Sequence, residues 1–106
     1  MNPQELKSLA DAEFDRALHR KNLKETAMSQ MTVPFNGGLF LASPALISYL
    51  SIEPSDSVYL EDVHGNPVLV RRLELLELMR STYNTAMKNW YDEYQLSNRI
   101  RRAQNV

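Results

Sequence analysis

Three neighbouring side chains, Glu61, Asp62 and His64, are of the types that bind metal ions or transfer protons. A metal site needs three or four converging ligands, and the other histidine, His19, is far away in the sequence. Glu61 and Asp62 are adjacent on a predicted strand, so they point to opposite faces and make a poor acid–base pair. We therefore interpret His64 as part of a solvated turn and predict no metal site.

The other residues that could do chemistry lack the partners that the chemistry needs. Gly37-Gly38 has no following Lys and Ser/Thr, so it favours a structural turn over a phosphate-binding loop. No serine stands in a Gly-x-Ser-x-Gly elbow, and the chain has no cysteine, which excludes disulfides and thiolate catalysis. We predict a protein that is not an enzyme and that uses no cofactor.

A basic cluster near the end of the chain, Arg99, Arg101 and Arg102, raises the alternative of a nucleic-acid contact. The chain as a whole carries a net charge of −1, with −4 in residues 31–70 and +3 in residues 71–106. Cations also stabilise the C-terminal end of any helix. The helix-end interpretation is therefore favoured, and nucleic acid is kept as an alternative partner.

The element that must position these residues is a long C-terminal helix, predicted from Arg71 to about Ala103 because no Pro or Gly interrupts it. At 1.5 Å per residue it would be about 50 Å long, whereas a compact chain of this size is only about 35 Å across. We expect it to overhang the body or to pair with a second long element. Its apolar residues recur every three or four positions: Leu76, Met79, Tyr83, Met87, Trp90 and Tyr94.

A second long helix is predicted over residues 3–29, with Asn2 as its cap and Pro3 at its first position. Its apolar stripe is narrow and rich in alanine, so it needs a partner helix, for which the C-terminal helix is the obvious candidate. The stripe consists of Leu6, Ala10, Phe14 and Ala17. Whether the two helices pair within one chain or between chains is left open.

The segment between the helices predicts two β-hairpins with a short helix between them. Asn36-Gly37 suits the tight turn of the first hairpin, and His64-Gly65-Asn66-Pro67 that of the second. Ser43-Pro44 begins the short helix. The fold class is α+β: an N-terminal helix over residues 1–30, as an oligomerisation arm, and a domain over residues 31–106 whose hairpins could join into one antiparallel sheet of up to four strands.

Three aromatic side chains on one turn of the overhanging helix, Trp90, Tyr91 and Tyr94, are typical of a binding anchor. The alternative is that they pack on the first helix and the sheet. With the arginines they give the predicted partner-binding set: Trp90, Tyr91, Tyr94, Arg99, Arg101 and Arg102.

Three stretches resemble small uncharacterised proteins of contractile-tailed phages that infect cyanobacteria. They are Val33-Pro-Phe-Asn-Gly-Gly-Leu-Phe-Leu-Ala-Ser-Pro, Tyr59-Leu-Glu-Asp-Val-His-Gly-Asn-Pro-Val and Asn89-Trp-Tyr-Asp-Glu-Tyr. The order of elements over residues 31–95 is also similar to the small domain of phage tail-fibre assembly proteins, although Phe35 stands where that domain usually has Tyr. The resemblance implies a bacteriophage origin and an accessory or assembly role, with no catalytic residues.

These observations together predict a non-catalytic protein-interaction protein, acting in virion assembly or as a virion-associated accessory. Alternatives are an early phage factor that redirects a host protein, and a nucleic-acid-associated protein. We expect a homo-oligomer that binds a phage structural protein or a host protein. No apolar run reaches the ~20 residues that a membrane span requires, and we expect the protein in the cytoplasm of the infected cell and in the virion.

Overall fold

The computed structural model describes residues 2–104, apart from the side chains of residues 101 and 104. Within this range the chain is α+β, as predicted. The elements run in the order α1 (Pro3–Ser29), β1 (Thr32–Phe35), β2 (Gly38–Leu41), α2 (Pro44–Ile52), β3 (Ser57–Glu61), β4 (Pro67–Arg71) and α3 (Arg72–Gln104). The molecule measures 64 × 26 × 21 Å, and its radius of gyration is 19.7 Å. A compact chain of this length would have a radius of about 13 Å, so the long helix does overhang the body.

Side-chain caps define the starts of α1 and α2, at the residues that the sequence predicted for them. The Asn2 side chain accepts a hydrogen bond of 2.8 Å from the amide of Glu5, and the Ser43 hydroxyl accepts one of 3.2 Å from the amide of Leu46. Each satisfies an amide that has no partner within its helix. The turn between β1 and β2 has positive φ at both Asn36 and Gly37, as a tight hairpin turn requires.

The two hairpins form separate two-stranded ladders, so the single sheet of up to four strands is not formed. The side chain of Asp62 links the two hairpins, since its Oδ2 accepts a hydrogen bond of 3.2 Å from the amide of Leu39. One backbone hydrogen bond, of 2.8 Å from the amide of Val63 to the carbonyl of Leu39, continues the contact between the hairpins.

Asp62 also closes the second turn, since its Oδ1 accepts hydrogen bonds from the amides of His64 at 3.0 Å and Asn66 at 2.9 Å. The hydrogen bond from Asn66 is the main cause that lowers the pKa of Asp62. The amides of Leu39 and His64 act in the same direction, and burial of the carboxyl opposes them. A carboxylate that accepts three amide hydrogen bonds is a fixed part of this fold.

We expect Asp62 to make the stability of the protein depend on pH. Because the folded-state pKa is lowered, its contribution is fully present above the ordinary value of 3.8 and is lost as the pH falls through the folded-state pKa. Urea denaturation between about pH 6 and about pH 3 should therefore show a steeper loss of stability in the wild type than in Asp62→Asn. The exposed neighbour variant Glu61→Gln is the control and should retain the wild-type slope, and an unchanged slope in Asp62→Asn would contradict this role.

The hydrophobic core lies in the body, between the hairpins, α2 and the first half of α3. Its members come from residues 31 to 86: Met31, Val33, Phe40, Ala42, Leu50, Val58, Val70, Leu75, Leu76, Met79 and Ala86. The side chains of β3 alternate between the core and solvent, with Val58 buried and Tyr59 exposed. The second half of α3 and most of α1 extend away from this core.

Arg72 explains how α3 can begin on a basic residue, which is unfavourable beside the positive end of a helix. Its guanidinium points to α2 and donates hydrogen bonds of 2.8 Å to the carbonyls of Leu50 and Ser55. The carbonyls at the end of a helix carry partial negative charge, so the cation is stabilised there. Arg72 thus fixes the end of α2 to the start of α3.

Candidate protein interface

The candidate site lies on the part of the molecule that we call the arm. The arm consists of residues 2–26, which are most of α1 and its cap, and of residues 88–104 of α3. The two helices run antiparallel and contact each other within one chain. His19 Nε2 and Ser97 Oγ are 2.6 Å apart. The side-chain nitrogen Nδ2 of Asn89 donates a hydrogen bond of 3.5 Å to Oε1 of Gln30. The pairing of the two long helices within the chain is therefore established.

The face that α1 presents to α3 is different from the predicted one. Ala12, Arg16 and Leu23 are partly buried in the contact, and Ala27 is 2% exposed. The predicted stripe of Leu6, Ala10, Phe14 and Ala17 is exposed instead. It is rotated by about 140° from the contact face, given about 100° per residue in a helix.

The rotation of α1 is fixed where the helix meets the body. The side chain of Ala27 is almost completely buried, and four residues later Met31 is the first residue of the chain in the hydrophobic core. Residues that lie on the same helical face as Ala27, such as Leu23 and Arg16, must then face α3. The prediction that the apolar stripe packs on α3 was wrong because this anchor is a tertiary contact, which the periodicity of α1 does not contain.

The two helices of the arm are not closely packed against each other. A cleft of about 550 Å³ lies between them. It is lined by Ala12, Asp15, Arg16, His19, Arg20 and Leu23 of α1 and by Glu93, Tyr94, Leu96, Ser97, Asn98 and Ile100 of α3. Because the arm buries so little against itself, its apolar side chains remain in solvent.

The three predicted aromatic residues of α3 differ in their exposure. Trp90 is half-buried and lies seven residues from both Tyr83, which packs on the core, and Ser97, which contacts α1. Tyr91 and Tyr94 are 62% and 43% exposed. The tyrosines therefore form an accessible, open pair on the arm, although Tyr94 shares a helical face with the half-buried Trp90 and lines the cleft beside α1.

The basic residues lie at the far end of α3, next to the cleft. Arg99 and Arg102 are exposed, and the side chain of Arg101 lies outside the part of the chain that the structure describes. Among the described residues, Arg99 and Arg102 form no ion pair. Asp15 of α1 lines the same cleft as Asn98 and Ile100, the two residues that flank Arg99 in the chain.

The residues that could have done chemistry are not brought together. Asp62 is committed to backbone amides, His64 is exposed on its turn, and His19 is on the arm. Within residues 2–104, no group of three His, Asp or Glu side chains could hold a metal ion. In the same range, no helix has the length and the apolar content to cross a membrane.

Sequence reasoning missed the exposed apolar surface of the arm, since the stripe of α1 was assigned to the contact with α3. The most exposed large apolar side chains of the arm are Leu6 (62%), Leu9 (51%), Phe14 (67%), Leu18 (45%), Leu96 (49%) and Ile100 (51%). The sequence of α1 carried no signal for this exposure, because the spacing of a stripe does not tell what covers it. Comparisons with protein-family models, with curated proteins and with solved structures found no significant match.

Proposed function

We propose that this chain is a non-catalytic protein-interaction protein and that its arm is the surface that binds. The observation that carries the proposal is the exposed apolar surface of the arm, from Leu6 and Phe14 on α1 to Tyr91 and Ile100 on α3. Large apolar side chains that are exposed together on one helix face, as they are on α1, are a feature of association sites, whereas apolar side chains scattered singly over a surface are ordinary. The body supplies the rigid base from which the arm extends.

The open tyrosine pair is the strongest candidate for an energetic anchor within this surface. Tyrosine supplies a large contact area at a low cost in side-chain entropy, and its hydroxyl can bond at the wet edge of an interface. Tyr91 and Tyr94 lie three residues apart on one helix and are both accessible. A partner that covers one of them would therefore reach the other.

We propose that this interaction serves the assembly of a virion, or an accessory of the finished particle, as the resemblance to proteins of contractile-tailed cyanobacterial phages implies. The order of hairpin, helix, hairpin and long helix supports this, and so does the arm, which suits a transient contact with a phage structural protein. The protein would then act in the cytoplasm of the infected cell. Binding to a host protein is the alternative use of the same arm.

A nucleic-acid role is less well supported. The exposed Arg99 and Arg102 favour it, but the acidic first half of α1 lies along the same end of the arm. Phosphate binding by these arginines would bring the nucleic acid close to those carboxylates.

The test is selective capture from cells infected with a phage that carries the tagged chain. We expect the double variant Tyr91→Ala/Tyr94→Ala to lose a protein that the wild type retains, with an affinity at least about tenfold weaker for that protein when it is purified. Tyr59→Ala, which changes an exposed tyrosine on the body, is the matched control and should bind as the wild type does.

The identity of the captured protein decides between the two forms of the proposal. A phage structural protein, together with detection of the chain in purified particles by mass spectrometry, supports the assembly role. A host protein, with the chain absent from particles, supports the host-directed factor. The same captured proteins with the wild type and the double variant would contradict the assignment of the arm as the binding surface.

A further inference from the structure

The outer face of α1 is an apolar surface that none of the residues described by the structure covers. Leu6, Ala10, Phe14 and Ala17 recur at helical spacing, and all four are exposed, with Leu18 next to Phe14. The two alanines let a second helix approach closely at the centre of the stripe, while the larger side chains stand on either side. This surface is on the side of α1 that points away from α3.

The charges of α1 are ordered along its length. Residues 3–15 carry four acidic side chains and one basic side chain, a net charge of −3. Residues 16–29 carry four basic side chains and one acidic side chain, a net charge of +3. The sign therefore changes at residue 16, which is also the midpoint of the helix from Pro3 to Ser29.

We propose that the outer face of α1 is the self-association surface of this protein and that it pairs antiparallel with α1 of a second copy. The proposal rests on the assignment of the arm as an interaction surface and names one of its partners. An antiparallel pair lays each acidic half on a basic half, whereas a parallel pair lays acid on acid and base on base. Because the sign changes at the midpoint, a two-fold axis near residue 16 matches the charges over the whole helix, about 40 Å.

The same axis matches one apolar pair and one charged pair, while it sets Leu6 and Ala10 against Thr26 and Asn22 of the second copy. Residues whose numbers sum to about 32 lie opposite each other, which sets Phe14 against Leu18 of the second copy. It sets Lys7 against Glu25 of the second copy as well. Lys7 and Glu25 are 18 residues apart, about five helical turns, so they lie on the same edge of the stripe and can meet across the axis.

The present partners of these charges do not oppose the pairing. Within the chain Glu25 lies 3.8 Å from Lys21, and both side chains are more than half exposed. Exposed ion pairs of this kind contribute little to stability, so exchanging the intrachain pair for one across the axis costs little. Arg20 and Glu13 lie on the opposite edge and complete the pattern, since their numbers sum to 33.

The absence of cysteine in the sequence makes a crosslinking test clean. Lys7→Cys and Glu25→Cys are prepared separately, and each is treated with a short bismaleimide alone and after mixing with the other. We expect a crosslinked dimer only in the mixture. A mixture of Lys7→Cys with Ser48→Cys, an exposed position on α2, controls for random collision and should give none.

Two results would overturn the proposal. Efficient crosslinking of Lys7→Cys alone would show that like positions meet, as in a parallel pair. No crosslink in any mixture, together with a strict monomer in sedimentation velocity at high concentration, would show that the face is not used by a second copy.

A second measurement uses a variant that leaves the fold intact. Phe14→Asp places a charge at a position where the side chain is 67% exposed, so the body should remain folded. The dissociation constant of the dimer should rise at least about tenfold. Leu73→Asp, at a residue of α3 that is 59% exposed, is the matched control and should dimerise normally. An unchanged dissociation constant in Phe14→Asp would overturn the proposal.

These results are separable from the proposed function. If the chain is a monomer but the Tyr91→Ala/Tyr94→Ala variant still loses a captured protein, the self-association is overturned and the proposed function is retained. If the crosslinked dimer forms and capture is insensitive to both tyrosines, the self-association is retained and the role of Tyr91 and Tyr94 in binding another protein is overturned.

Discussion

Replacing Phe40 with alanine is expected to lower the free energy of unfolding by about 3–5 kcal/mol, because truncating a buried phenylalanine leaves a cavity that the surroundings only partly fill. Phe40 is 1% exposed and stands opposite Val33 in the first hairpin. A domain of this size has a total stability of about 5–15 kcal/mol, so the loss is a large fraction of it.

The surroundings of Phe40 show why the cavity would persist. A methyl group placed on Gly38 would lie 2.8 Å from the Val68 side chain and 3.0 Å from the Phe40 ring, so the ring fills the space beside the glycine. Because glycine has no side chain, nothing at Gly38 can fill the space that the Phe40 ring leaves in the variant. The hydrogen bonds of the two hairpins hold the backbone in position around it.

Urea denaturation followed by far-UV circular dichroism measures this effect, with Tyr59→Ala as the control. Tyr59 is 78% exposed on β3, so its loss should change the stability by under about 1 kcal/mol. A similar small change for Phe40→Ala would show that the first hairpin is not part of the packed core.

The parts of the fold that were predictable from the sequence are those whose chemistry is local. Asn36 and Gly37 tolerate positive φ, and the turn there follows from that alone. Asn2 and Ser43 cap the helices that follow them through side-chain oxygens three residues from their targets. In each case the interacting groups are neighbours in the chain, so a pattern of a few residues contains the whole cause.

The parts that were not predictable depend on contacts between distant residues. The two ladders are linked through the side chain of Asp62, which accepts a hydrogen bond from the Leu39 amide, 23 residues away. Similarly, the rotation of α1 depends on Ala27 and the entry of the chain into the core, which the stripe of Leu6 and Phe14 cannot reveal. The period of a stripe tells which residues share a face but does not tell what covers that face.

The candidate site shows the same division. The sequence located the aromatic cluster on the overhanging part of α3, and the accessible Tyr91 and Tyr94 are there. It did not separate Trp90 from them, because the half-burial of the indole depends on where α1 lies. The exposure of Phe14 could not be predicted for the same reason.

The second large effect is expected along the apolar face of α3, where the loss of stability caused by an alanine substitution should fall from the core towards the end of the helix. Met79 is fully buried, Tyr83 and Met87 are partly buried on the core, and Tyr94 is 43% exposed, although all four share one face. We expect Met79→Ala to cost about 2–5 kcal/mol because it removes core volume. Tyr94→Ala should cost under about 1 kcal/mol because little of its contact area is buried within the chain.

Hydrogen exchange measured by NMR gives an independent test of this gradient, since amides of a packed segment open only with the whole domain. Amides around Met79 should be protected to nearly the global free energy of unfolding, whereas those beyond Trp90 should exchange through local opening. At concentrations where copies associate, protection in α1 should rise with protein concentration, because binding to the folded state stabilises it by mass action. Uniform protection along α3 at the lowest concentration would contradict the division into body and arm, since it would require the arm to be as well packed as the core that anchors it.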